Sequence, residues 1–204
     1  SLATYEYLAQ LQDEARAQGS TVIRLLGNHE WQILVGQPVD GDTQANGTET
    51  ITLLREVITD DLRQGHLLVA AVVAGRLFTH AGLCEVIRRH IAAHLPRVLK
   101  DFSGPVRMED VAAYLNTLGF VKATEGSLAE DREVLADPLQ GVLARPAQLQ
   151  DRGFAAGWPQ VIGHTMELPE EPSVPSRVRI QDDAGLVINT EIRLLERRGG
   201  NLGY

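Results

Sequence analysis

Apolar positions along the first third of the chain alternate between helical and strand spacing. Tyr5, Leu8, Leu11 and Ala15 recur as one face of a helix over 4–17, closed by Gly19. Thr21-Val22-Ile23-Arg24-Leu25-Leu26 is a short apolar run that suits a buried strand. Residues 36–50 are rich in Gly, Asp, Gln, Asn and Thr with little periodicity, which predicts a long mobile loop. Ile51, Leu54, Ile58 and Leu62 then form one helical face ending at Gly65. Leu67 to Val73 and Leu77 to His80 are rich in strand formers and flank Ala74-Gly75-Arg76, the pattern of a tight antiparallel hairpin.

The second half changes character twice. From 84 to about 136 the spacing is helical: Val86, Ile87, Ile91 and Leu95 share a face before Pro96, and Val111, Leu115 and Leu118 share another before Gly119. This stretch, extended to 84–157, is expected to be a mainly helical insertion. Gln160 to Ile162, Arg177 to Gln181 and Leu186 to Asn189 read as strands, the last two joined by the turn signal Asp182-Asp183-Ala184-Gly185. The expected class is α/β in a single domain over 1–204.

Composition narrows the partners. With 204 residues, 44% hydrophobic and 23% charged, the chain can bury one sizeable core. A net charge of −8 and the lack of a basic stripe argue against nucleic acid and against an anionic membrane surface. No window reaches the roughly 18 apolar residues of a membrane span, and the first residues do not read as a signal peptide. The single cysteine, Cys84, allows no intrachain disulfide and is expected to be a small buried group. A soluble protein, cytoplasmic or organellar rather than secreted, is the expectation.

The candidate chemistry lies where strands give way to loops. Gly27-Asn28-His29-Glu30 follows the first strand, Thr79-His80-Ala81-Gly82 the hairpin, and Gly163-His164-Thr165 the run Val161-Ile162. Side chains at adjacent strand ends converge on one crevice in open sheets. An amide oxygen and two imidazoles suit a borderline divalent ion such as manganese, iron or zinc, and a bridging carboxylate would complete the shell. The competing reading for any one of these histidines is a hydrogen-bonded core residue. Glu30 also reads as a carboxylate favoured at a helix start. His90 and His94 share a helical face and can chelate metal, although a solvated face without a third ligand is the plainer reading.

The three motifs in this order resemble the calcineurin-like metallophosphoesterase superfamily, in its phosphoprotein phosphatase branch and nearest to the Shewanella-like, bacterial-type phosphatases. The glycine-rich ending Arg198-Gly199-Gly200-Asn201-Leu202-Gly203-Tyr204 extends the likeness over most of the chain. The resemblance implies a β-sandwich flanked by helices and hydrolysis of phosphomonoesters, phosphoprotein or small, by metal-activated hydroxide at two ions. It assigns Asn28, His80 and His164 to the second metal and His29 to the general acid. Arg145, in a segment that loosely resembles an arginine-bearing family segment, is the candidate for substrate phosphate. Members of that type are directed mainly at phosphotyrosine.

Two of the family's signatures, Gly-Asp-x-His and Gly-Asp-x-x-Asp-Arg-Gly, do not occur. Asp151-Arg152-Gly153 lacks the preceding Gly-Asp pair and reads as coincidence. The expectation is therefore a phosphatase domain lacking its N-terminal β-α-β portion, with the second-metal half of the site and at most one ion. Such a chain is expected to be weakly active or inactive alone, with a partner covering its exposed sheet edge. The alternative is a non-catalytic truncated pseudo-phosphatase serving as a binding or scaffold module.

Overall fold

A computed structural model describes residues 2–36, 42–98, 104–125, 138–143, 155, 158–162, 180–181 and 187–189. These residues form a mixture of helices and short strands, in accord with the α/β class. The helices are α1 (Leu2–Ala17), α2 (Asn28–Leu34), α3 (Asp42–Gln64), α4 (Glu85–Val98), α5 (Met108–Glu125) and α6 (Pro138–Leu143). The strands are β1 (Arg24–Leu25), β2 (Leu67–Leu68), β3 (Ala70–Val73), β4 (Arg76–Thr79), β5 (Gln160–Ile162), β6 (Ile180–Gln181) and β7 (Val187–Asn189).

β1 pairs in parallel with β2, Arg24 opposite Leu67 and Leu25 opposite Leu68. The expected strand over 21–26 is thus confined to two residues, extended by one further bond from Leu26 N–H to the Leu68 carbonyl. The other five strands form one sheet in the order β3-β4-β5-β7-β6. β3 and β4 are antiparallel, with Val73 opposite Arg76. Their two-residue connection has Ala74 at φ 50° and Gly75 at φ 70°, the left-handed pair whose twist matches that of a hairpin. β4, β5 and β7 run parallel, and β6 pairs antiparallel with β7.

Three expectations about helices need correction. Residues 42–50 are helical rather than a long loop, while 37–41 lie outside the described residues. The helix is broken at Gly47 (φ 66°, ψ 161°), a conformation open to glycine, and this break with its polar composition hid the helical turns. α4 continues through Pro96 to Val98. A proline this near the end removes only one ladder bond. α5 continues past Gly119 to Glu125, because Gly119 is a packing position. A methyl group there would stand 2.5 Å from Val69 Cγ2.

Among the described residues one apolar cluster packs the six helices against β2, β3 and β4. Ile58 and Leu62 of α3, Ile87, Ile91 and Leu95 of α4, and Val111 and Leu115 of α5 meet Val69 and Leu77 from the strands. Each such side chain contributes about 1.5–3 kcal/mol on burial. Asn116 of α5 joins helix to strand with polar bonds: its Oδ1 accepts from Val69 and Ala70 N–H (2.7 and 3.0 Å), and its Nδ2 donates to the Ala70 carbonyl (3.0 Å). The helical stretch after residue 84 is therefore packed into the core. Among the described residues no helix is long and apolar enough to cross a membrane.

Candidate metal centre at the ends of β1 and β4

The residues after β1 turn at once into α2, with Gly27 as its N-cap. Gly27 has an ordinary extended backbone (φ −97°, ψ 173°), so no special backbone conformation calls for glycine here. A Cβ at this position would lie 2.6 Å from Glu30 Oε2 and 3.4 Å from His80 Cε1. Close approach of a carboxylate and an imidazole is what this position permits. Glu30 Oε2 accepts a hydrogen bond from Gly27 N–H at 3.2 Å, which makes Glu30 the helix-start carboxylate of the α2 cap.

Asn28 and His80 are separated by 51 residues of chain and meet directly. His80 Nε2 lies 3.0 Å from Asn28 Oδ1. A carbonyl oxygen only accepts, so Nε2 carries the proton in this arrangement. Both side chains are half-buried, and His29 beside them is exposed. Two cis ligands, each about 2.1 Å from one ion, stand about 3 Å apart. The separation of these two donors fits a shared divalent cation, which would take the place of the bridging proton.

The loop after His80 is held on several sides. Thr79 Oγ1 accepts from Gly82 N–H (3.0 Å), and the Val142 carbonyl of α6 accepts from Ala81 N–H (2.9 Å). Gln160, fully buried at the start of β5, grips Leu83 by both ends of its amide: Oε1 accepts from Leu83 N–H at 2.7 Å and Nε2 donates to the Leu83 carbonyl at 3.0 Å. Ala155 N–H donates to that same carbonyl at 2.9 Å. Sequence reasoning read Gln160 only as a strand residue. Its one available signal was an amide inside an otherwise apolar strand.

His164 and Arg145 lie outside the described residues. The strands that precede His80 and His164 nevertheless end side by side, since β4 and β5 are parallel and remain paired to Thr79 opposite Ile162. Among the described residues no group of three or more His, Cys, Asp or Glu side chains is placed to hold a metal. Cys84 is fully buried, as its apolar surroundings in the sequence imply.

A second polar cluster lies beneath β1. Arg24, only 7% exposed, donates from Nη2 to Asp61 Oδ2 (2.7 Å) and from Nε to Gln12 Oε1 (3.0 Å). Tyr5 Oη donates to the same Asp61 oxygen at 2.7 Å, and the guanidinium lies 5.1 Å over the Tyr5 ring. Burial, followed by the bond to Asp61, pushes the Tyr5 phenol well above its ordinary pKa. Arg24 Nη1 is buried without a hydrogen-bond partner among the described residues. A cavity of about 250 Å³ opens at the N-terminal end of β1, lined in part by Gln12, Thr21, Ile23 and His66. It contains neither Asn28 nor His80, so the candidate chemistry sits at the opposite end of the strand.

No protein-family model matches the chain, and a search of the curated proteins finds no match to it. Any assignment of activity therefore rests on the residues themselves.

Proposed function

We propose that the chain carries the second-metal half of a calcineurin-like phosphomonoesterase site of the phosphoprotein phosphatase type. The observation that supports this most is the 3.0 Å separation of Asn28 Oδ1 and His80 Nε2. Two residues that the motifs assign to one metal, distant in sequence, meet at a separation that a shared cation would accept. The finer calcineurin-like reading of the α/β fold, with a β-sandwich flanked by helices, belongs to the same proposal.

In this reading Asn28 and His80, with His164, hold a manganese, iron or zinc ion. When bound, that ion would supply Lewis acidity toward water and neutralise charge on the phosphoryl oxygens. His29, exposed on the first turn of α2, is assigned the general acid, whose imidazolium would hand its proton to the departing alkoxide or phenoxide. Gln160 fixes the loop that follows His80, so the imidazole is presented from a rigid support. Arg145 is the candidate for binding equatorial phosphate oxygens.

Titration of the chelator-treated chain with manganese tests the half-site. Affinity is expected to fall tenfold or more in His80→Ala, on the order seen when support of a metal ligand is lost. An unchanged isotherm would sink the assignment. Joined to the family's two upstream signatures, the chain is expected to hydrolyse p-nitrophenyl phosphate. There His29→Asn should lower kcat by about 10²–10⁴-fold with metal content kept. Equal rates would remove His29 from the role of acid.

A further inference from the structure

His90 and His94 stand one turn apart on α4, sharing no residue with the Asn28–His80 pair. Their rings are stacked with centroids 4.2 Å apart and planes inclined by 24°. His94 Nδ1 lies 2.8 Å from the carbonyl oxygen of His90. Because that oxygen can only accept, Nδ1 bears the proton, and in the neutral ring the lone pair resides on Nε2. Metal-binding histidines characteristically donate their second N–H to a carbonyl or carboxylate, which fixes the ring and raises the basicity of the ligating nitrogen. His94 has this arrangement.

The surroundings favour a cation more than two histidines on a basic helix would suggest. Arg88 and Arg89 are both bound to Glu85, at 2.6 and 2.9 Å, so much of their charge is neutralised within the first turns of α4. The positions one turn to either side of His90 on its face are Val86 and Ala93 with His94. His94 directly precedes the last turn of the helix, towards the negative end of its dipole. An imidazole can ligate through one nitrogen while the other keeps a hydrogen bond, as His94 does.

We propose that His90 and His94 form a two-histidine chelate for a borderline divalent transition cation, completed by water. Imidazole ligands suit copper(II), nickel(II) and zinc(II), with copper(II) the tightest, and discriminate against magnesium and calcium. The Asn28–His80 pair offers an amide oxygen and is the harder site of the two.

The test titrates the full, chelator-treated chain with copper(II) and with nickel(II) chloride at neutral pH, followed by calorimetry. His90→Ala, His94→Ala and His94→Gln are each expected to weaken one equivalent by about tenfold or more, while His80→Ala leaves it unchanged. Alanine favours helix, so loss of binding is not loss of α4, and far-ultraviolet circular dichroism checks this. Nickel(II) should also broaden the His90 and His94 ring resonances before those of any other histidine. An isotherm unchanged in His94→Ala overturns the proposal, as does weakening by His80→Ala alone or first broadening at another histidine.

Discussion

The two ends of β1 carry polar clusters of opposite kinds. Around Arg24 the buried guanidinium and Tyr5 are tied to half-buried partners: Asp61 Oδ2 accepts from both Tyr5 and the guanidinium, and Gln12 takes the Nε–H. Past the other end, Asn28 and His80 are half-buried, touch each other at 3.0 Å and lie beside an exposed histidine. The first cluster ties α1, β1 and α3 together. The second presents donors at a separation that an ion can enter. What separates the two is the buried guanidinium at the heart of the first and the exposed histidine beside the second, since both contain good hydrogen-bonding groups.

Breaking the closed cluster should have the largest effect. Asp61→Ala leaves the Arg24 charge buried without its carboxylate, for which a loss of about 3–5 kcal/mol is expected. Urea unfolding measures it, and a loss below 1 kcal/mol would show that the network is held elsewhere. Manganese affinity, corrected for the folded fraction, should not change.

Gln160→Leu probes the other side of the comparison. Leu83 N–H loses its acceptor, whereas the Leu83 carbonyl keeps Ala155. The cost is about 1–3 kcal/mol, smaller than at Asp61. Unlike Asp61→Ala, however, this change should shift the His80 ring resonances and weaken manganese binding. Unshifted resonances would mean that the His80 loop is positioned without Gln160.

The smallest effect is expected at Glu85, which opens α4 just after that loop. Hydrogen bonding from Arg88 first, and then from Arg89, outweighs burial and lowers its carboxyl to about 2 from 4.5. A folded-state pKa below the unfolded one means that this stabilisation is complete above about pH 4.5 and is lost as pH falls towards 2. Glu85→Gln should therefore flatten the acid limb of the stability curve in that window and leave its slope above pH 5 unchanged. An identical acid limb in the variant would remove Glu85 as a source of acid sensitivity.

How much of this could be read from the chain depended on the range of the interaction. The α1, α4 and α5 helices and the β3–β4 hairpin follow local periodicities, although Leu8 of the expected α1 face and Val86 of the expected α4 face are exposed, and Ala74-Gly75 marks its own turn. The parallel pairs β1–β2 and β4–β5 leave no such mark, because their partners are joined by long connections. Asn28 and His80 were legible as a motif, and their meeting required the fold. Arg24 was hidden inside an apolar run and Gln160 inside a strand, since the groups that satisfy them, Asp61 and Leu83, are far away in sequence. The helix over 42–50 was obscured by Asn, Thr and Gly, whose weak helical preference is overridden in the folded chain.

The two-residue hairpin also has a consequence in time. Its strands are adjacent in sequence and its loop is as short as an antiparallel pair allows, so it can close on the microsecond scale, about 1–10 μs. His80 follows immediately after it and is placed among the first residues to find their neighbours. Asn28 depends on β1 reaching β2 across α2 and α3, a closure of far higher contact order. The Asn28–His80 pair is thereby expected to form later than the hairpin, once β1 has paired with β2. A probe on this pair would follow a later step of folding than a probe on the hairpin.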